Sequence, residues 1–129
     1  MSDVPLSMIA GMDVKTLKTV GEEKVFRPAV EAWATNNGWL VHHMSRAGHQ
    51  SPTSAKYPKG RWIGNSGAGF PDLVLARNGV VHFWELKPMA MDDKHMPTAA
   101  QVKWLEECGG RLMRPSDARE IMEILERER

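Results

Sequence analysis

At 129 residues the chain is long enough for one domain with its own core, and its 42% hydrophobic and 26% charged residues match ordinary soluble globular proteins. The single cysteine, Cys108, excludes an internal disulfide, and no apolar run is long enough for a membrane-spanning helix. The net charge of +1 would argue against a nucleic-acid partner, but it averages over residues 32–71, which hold no acidic residue at all.

Residues 1–18 show no firm periodicity and read as an arm, leaving 19–129 as a single domain. No basic n-region precedes an apolar stretch there, so no signal peptide is expected, and a reducing, cytoplasmic setting suits the lone thiol. Thr19 followed by Glu22 fits a capping box, after which Val25, Phe26, Ala29, Val30, Trp33 and Ala34 recur at helical spacing up to Gly38. Pro28 inside this pattern should kink the helix or delay its start. "WLVHHM" (39–44) reads as a strand, and residues 45–69 as a long loop rich in Gly, Ser and Pro.

"DLVLAR" and "VVHFWELK" flank Asn78-Gly79, the strongest short hairpin signal. Thr98 and Gln101 form a second capping-box pattern, opening a helix through Val102, Trp104, Leu105 and Cys108 that Gly109-Gly110 closes. "RLMR" is a short strand, and Pro115-Ser116 starts a last helix with Ile121, Met122, Ile124 and Leu125 on its apolar face. The order helix, three strands, helix, strand, helix predicts an α/β sandwich around a small mixed sheet.

The hairpin carries three charges that an ordinary core hairpin would not. Residues two apart on a strand share a face, so Glu85 and Lys87 point the same way, roughly 7 Å apart, with His82, Trp84 and Leu86 on the other face. A two-residue turn pairs Arg77 with Val80, and the same register carried outward sets Asp72 opposite Glu85. Cross-strand neighbours lie ~5 Å apart, so two carboxylates there need a cation between them or a shared proton. Carboxylate and carbonyl oxygens suit Mg²⁺ or Mn²⁺. In the bland alternative Lys87 merely neutralises Glu85 in a surface pair and Asp72 only starts a strand.

Pro71-Asp72, twelve intervening residues and then Glu85-Leu86-Lys87 resemble the PD-(D/E)xK nuclease signature. The wider string "GFPDLVLAR…FWELK…TAAQVKWLEECGG…MRPSD" is similar to the VRR-NUC branch, in particular its small stand-alone, phage-type members, over roughly residues 22 to 125. The resemblance implies a restriction-endonuclease-like αβββαβ core flanked by helices, with a C-terminal helix added, and Mg²⁺- or Mn²⁺-dependent phosphodiester cleavage in one nuclease domain. It implies that Asp72, Glu85 and the Leu86 backbone carbonyl bind the metal and that Lys87 is the catalytic lysine. A first-helix glutamate would complete the site, Glu23 being the better match and Glu22 its rival. Gln101 matches a glutamine near the family's active site, a role compatible with capping.

The acid-free segment is the candidate DNA surface: Arg46, Lys56, Lys59 and Arg61 can meet phosphates, and Tyr57 or Trp62 can stack on an unpaired base. His42, His43 and His49 invite a zinc reading, but the chain has a single cysteine and no H-x₃₋₅-H helix, while His43 ends a strand leading toward the hairpin and is a candidate to line the site. Trp33, Trp39, Trp84 and Trp104 read as core. The resemblance implies a structure-selective endonuclease for branched DNA, working as a homodimer, in the host cytoplasm if phage-encoded. The alternatives are a less selective nuclease for single-strand, flap or linear DNA, and a non-catalytic DNA-binding module with a relic site.

Overall fold

The computed structural model describes residues 4–20, 23–44, 49–50, 62–63, 69–89 and 96–127. Among the described residues, five α-helices and six strands follow in the order α1 (Leu6–Ala10), α2 (Val14–Val20), α3 (Glu23–Asn36), β1 (Leu40–His43), β2 (His49–Gln50), β3 (Trp62–Ile63), β4 (Leu73–Arg77), β5 (Val80–Leu86), α4 (Ala99–Cys108), β6 (Arg111–Met113) and α5 (Ala118–Arg127). The main sheet is open and mixed, in the order β1-β4-β5-β6, with β6 parallel to β5 and the other neighbours antiparallel. The protein is therefore mixed α/β.

The alternation of β4 and β5 divides the molecule into two layers. Leu73, Leu75, Trp84 and Leu86 lie on one face and are buried with Phe26, Ala29, Val30 and Ala34 of α3 and Ile121, Ile124 and Leu125 of α5. The opposite face carries Phe83, Glu85 and Lys87 and is covered by α4. Phe70 meets both Phe83 and Trp104 edge-on there, with ring centroids 6.0 and 5.0 Å away. Among the described residues, no helix is long and apolar enough to cross a membrane.

Local chemistry sets the element boundaries. α3 runs through Pro28 and stops at Gly38, whose φ of +84° lets the Trp39 N–H reach the Ala34 carbonyl and its own N–H reach Thr35. Asn78 (φ +52°) and Gly79 (φ +82°) make the tight turn between β4 and β5. Gly110 is needed for space, since a Cβ there would lie 2.7 Å from the Phe83 carbonyl oxygen.

Four expectations change. The arm expected over residues 1–18 carries helix α1 and most of α2, with Leu6, Ile9 and Leu17 buried in the core. Thr19 does not cap α3: it lies inside α2 and donates its hydroxyl to the Lys15 carbonyl. Asp13 is the cap that starts α2, accepting the Thr16 N–H at 2.8 Å, and that bond holds its carboxyl below the usual range. The expected structureless loop contains a small antiparallel ribbon, β2 with β3. Pro115 opens a 3₁₀ turn, and the helix proper begins at Ala118.

Candidate metal-binding and catalytic site

The register runs as the turn dictates, with Leu73 opposite Trp84 and Arg77 opposite Val80. One step beyond the ladder this sets Asp72 opposite Glu85. The main-chain groups show what kind of pair it is. The Asp72 carbonyl turns away from β5 to accept the Met44 N–H at 2.7 Å, and the Lys87 N–H turns toward β6 to meet the Met113 carbonyl at 3.0 Å. Odd-numbered residues at this end of β5 thus bond to β6 and even-numbered ones face β4. Asp72 and Glu85 form a non-hydrogen-bonded pair, the narrower kind, in which side chains come closest.

Burial separates this site from the surface ion pair considered above. Asp72 is 3% exposed, Glu85 0%, Lys87 8% and Gln101 6%. The Lys87 Nζ lies 3.5 Å from Glu85 Oε2, and Gln101 Nε2 donates to the same oxygen at 3.2 Å. One hydrogen bond and one ion-pair contact thus meet at the same oxygen. Asp72 Oδ2 accepts the Leu86 N–H at 3.1 Å, tying the acid to the partner strand. Desolvating three ionisable groups costs several kcal/mol, which an isolated buried ion pair seldom recovers.

The proline before Asp72 has a physical role of its own. Leu86 stands opposite residue 71 in this register, and its N–H already faces β4. The matching ladder bond would run from a residue-71 N–H to the Leu86 carbonyl, and Pro71 has no N–H. The carbonyl beside the two acids is thereby spared its strand partner.

The preceding glycine sets the distance to α4. Gly69 has a φ of +87°, and a Cβ on it would lie 2.6 Å from the Ala100 carbonyl carbon and 2.8 Å from the Gln101 nitrogen. The loop into Asp72 therefore rests directly on the first turn of α4.

A divalent cation suits the chemistry of this donor set: two carboxylates in neighbouring register and a carbonyl relieved of its ladder bond are hard oxygen groups. Among the described residues, no group of three or more His, Cys, Asp and Glu side chains could hold a metal ion. Glu23, expected as the third acid, is the first residue of α3, but its side chain lies outside the described residues, as does all of Glu22.

The structure thus brings Asp72, Glu85, Lys87, Leu86 and Gln101 together. Arg46, Lys56, Tyr57, Lys59 and Arg61 lie outside the described residues, and of Trp62 only the β3 backbone is described. His43 does not line the site: it pairs with Leu73 and so belongs to the opposite face from Asp72. Trp39 and Trp84 are buried and Trp33 is half-buried against the core, as expected, but Trp104 is exposed. It borders an open cavity of about 420 Å³ with Ala100, Lys103 and Glu107. The roles of Gly69 and Pro71 were hidden in a motif whose letters are visible but whose neighbours across space are not.

No protein-family model, curated protein or solved structure matches the chain.

Proposed function

We propose that the protein is a divalent-metal-dependent DNA endonuclease with a PD-(D/E)xK core of the VRR-NUC kind, selective for branched DNA and acting as a homodimer. The observation that carries this reading is the burial of Asp72, Glu85 and Lys87 together at the open end of one hairpin, with Gln101 bonded to Glu85. A surface ion pair would be solvated, and a merely structural hairpin would have apolar residues at these positions.

In this reading Asp72, Glu85 and the Leu86 carbonyl hold Mg²⁺ or Mn²⁺, with Glu23 as the further carboxylate. The bound cation supplies polarisation of the scissile phosphate and a water of lowered pKa. The chain's own residues do the rest. Lys87, held beside Glu85, orients the attacking water or offsets the charge that grows on the phosphate oxygens. The water oxygen bonds to phosphorus as the P–O bond to the leaving strand breaks. Gln101 keeps Glu85 in place throughout. Arg46, Lys56, Lys59 and Arg61 bind backbone phosphates in a salt-dependent way, while Tyr57 and Trp62 stack on unpaired bases. Two active sites in a two-fold dimer would address two strands of a junction.

The test is a gel assay of the purified full chain on labelled four-way junction, flap, single-strand and linear duplex DNA. It is run with Mg²⁺, Mn²⁺ or EDTA, and with Lys87→Ala in parallel. Metal-dependent cleavage of the junction, lost in the variant, is the expected result. Equal cleavage of all substrates would replace branch selectivity with general nuclease activity. Binding of DNA without cleavage of any substrate, by folded protein, would replace the enzyme with a binding module.

A further inference from the structure

The Gln101 side chain is specified from both ends. Its amide has one oxygen that only accepts and one NH₂ that only donates, two groups of nearly the same shape whose placement is decided by their partners. The Thr98 backbone N–H can only donate, and it meets Oε1 at 2.8 Å. The Glu85 carboxylate accepts, and it meets Nε2 at 3.2 Å. Turning the amide over would set NH₂ against N–H and carbonyl oxygen against carboxylate. Meanwhile Thr98 Oγ1 accepts the Gln101 N–H at 3.1 Å, and Gly69 presses on Ala100 and the Gln101 nitrogen, so the main chain beneath the amide is fixed as well.

We propose that Thr98 is a positioning residue of the candidate site, whose backbone N–H holds Gln101 as a hydrogen-bond donor to Glu85. The inference rests on the metal-site reading above. A capping box ordinarily only starts a helix. Here the same four atoms also aim a buried amide at the carboxylate of the neighbouring strand. Groups that orient a ligand in this way commonly change metal affinity ten- to a hundredfold when removed.

The experiment compares Thr98→Pro with Thr98→Ala in the full chain. Both lose the hydroxyl, but only proline also removes the N–H, and the Thr98 φ of −75° suits its ring. Calorimetric titration with Mn²⁺ should give a Kd about tenfold weaker for Thr98→Pro than for Thr98→Ala. Thr98→Pro/Gln101→Ala should bind no more weakly than Gln101→Ala alone. Equal affinity of the two Thr98 variants, or full additivity in the double variant, would overturn the proposal.

A second measurement does not depend on the proline variant folding. In ¹⁵N–¹H spectra of the wild-type protein, the Gln101 side-chain NH₂ should be displaced from the free-amide position and return to it in Glu85→Ala. An NH₂ already at the free position in the wild type would overturn the donor assignment, even in a protein that binds Mn²⁺. If the wild type binds no Mn²⁺, the metal-site reading falls and this inference with it. A displaced NH₂ signal would then trace the failure to the metal reading and not to the hydrogen-bond geometry.

Discussion

At the turn end of the β4–β5 hairpin, Arg77 donates to the Asn37 carbonyl at 2.6 Å and lays its guanidinium 4.5 Å from the centre of the Trp39 ring. Trp39 meets His82 at a tilt and His82 stacks on Trp84, each pair with centroids 5.3 Å apart. At the open end the ladder stops, Pro71 withholds a donor, and Asp72, Glu85 and Lys87 gather in a buried cluster. The Arg77 charge at the turn end serves stability: it closes the C-terminus of α3 and covers an indole. At the open end the two carboxylates each accept a hydrogen bond from the partner elements, and Pro71 offers no N–H to the Leu86 carbonyl. The two ends differ less in composition than in whether the backbone ladder is complete.

The largest effect should come from emptying the open end. Asp72→Ala or Glu85→Ala should abolish both Mn²⁺ binding by calorimetry and metal-dependent cleavage, while Lys87→Ala should lose cleavage and retain binding. Next, Mn²⁺ at roughly 100 times its Kd should stabilise the wild-type protein by about 2.7 kcal/mol in denaturant unfolding, and Glu85→Ala not at all. At the other end, Arg77→Met should cost about 1 kcal/mol of stability and leave Mn²⁺ affinity unchanged. A loss of affinity there would mean that the two ends are not independent. Pro71→Ala makes the open end resemble the turn end by restoring the missing donor. It should add up to about 1 kcal/mol to unfolding stability while weakening Mn²⁺ binding, and unchanged affinity would remove the carbonyl from the ligand set.

Much of the open end was legible in the sequence because it depends on a two-residue period and a two-residue turn. Asn78-Gly79 sets the register, and the register sets Asp72 against Glu85. The capping role of Gln101 was legible for a similar reason, as a spacing within one element. The Gly69 contact was not, since it joins residues of two elements and depends on how closely α4 approaches the sheet. The helices before residue 21 were missed because a five-residue segment such as Leu6–Ala10 is shorter than the window in which periodicity can be seen. Thr19 was misassigned because Asp13 had already started a helix that placed it in the interior. The DNA surface expected over the acid-free segment was a statement about charge, and charge alone does not specify a backbone path.

The parallel pairing of β6 with β5 bears on the order of assembly. During synthesis the hairpin bearing Asp72, Glu85 and Lys87 leaves the ribosome well before Met113, whose carbonyl holds the Lys87 N–H. All three charged residues are then in hand, but the strand edge that carries the lysine has no neighbour. A nascent chain thus lacks the complete candidate site until β6 has emerged, and a truncation before residue 111 should weaken Mn²⁺ binding without removing a single one of those three groups.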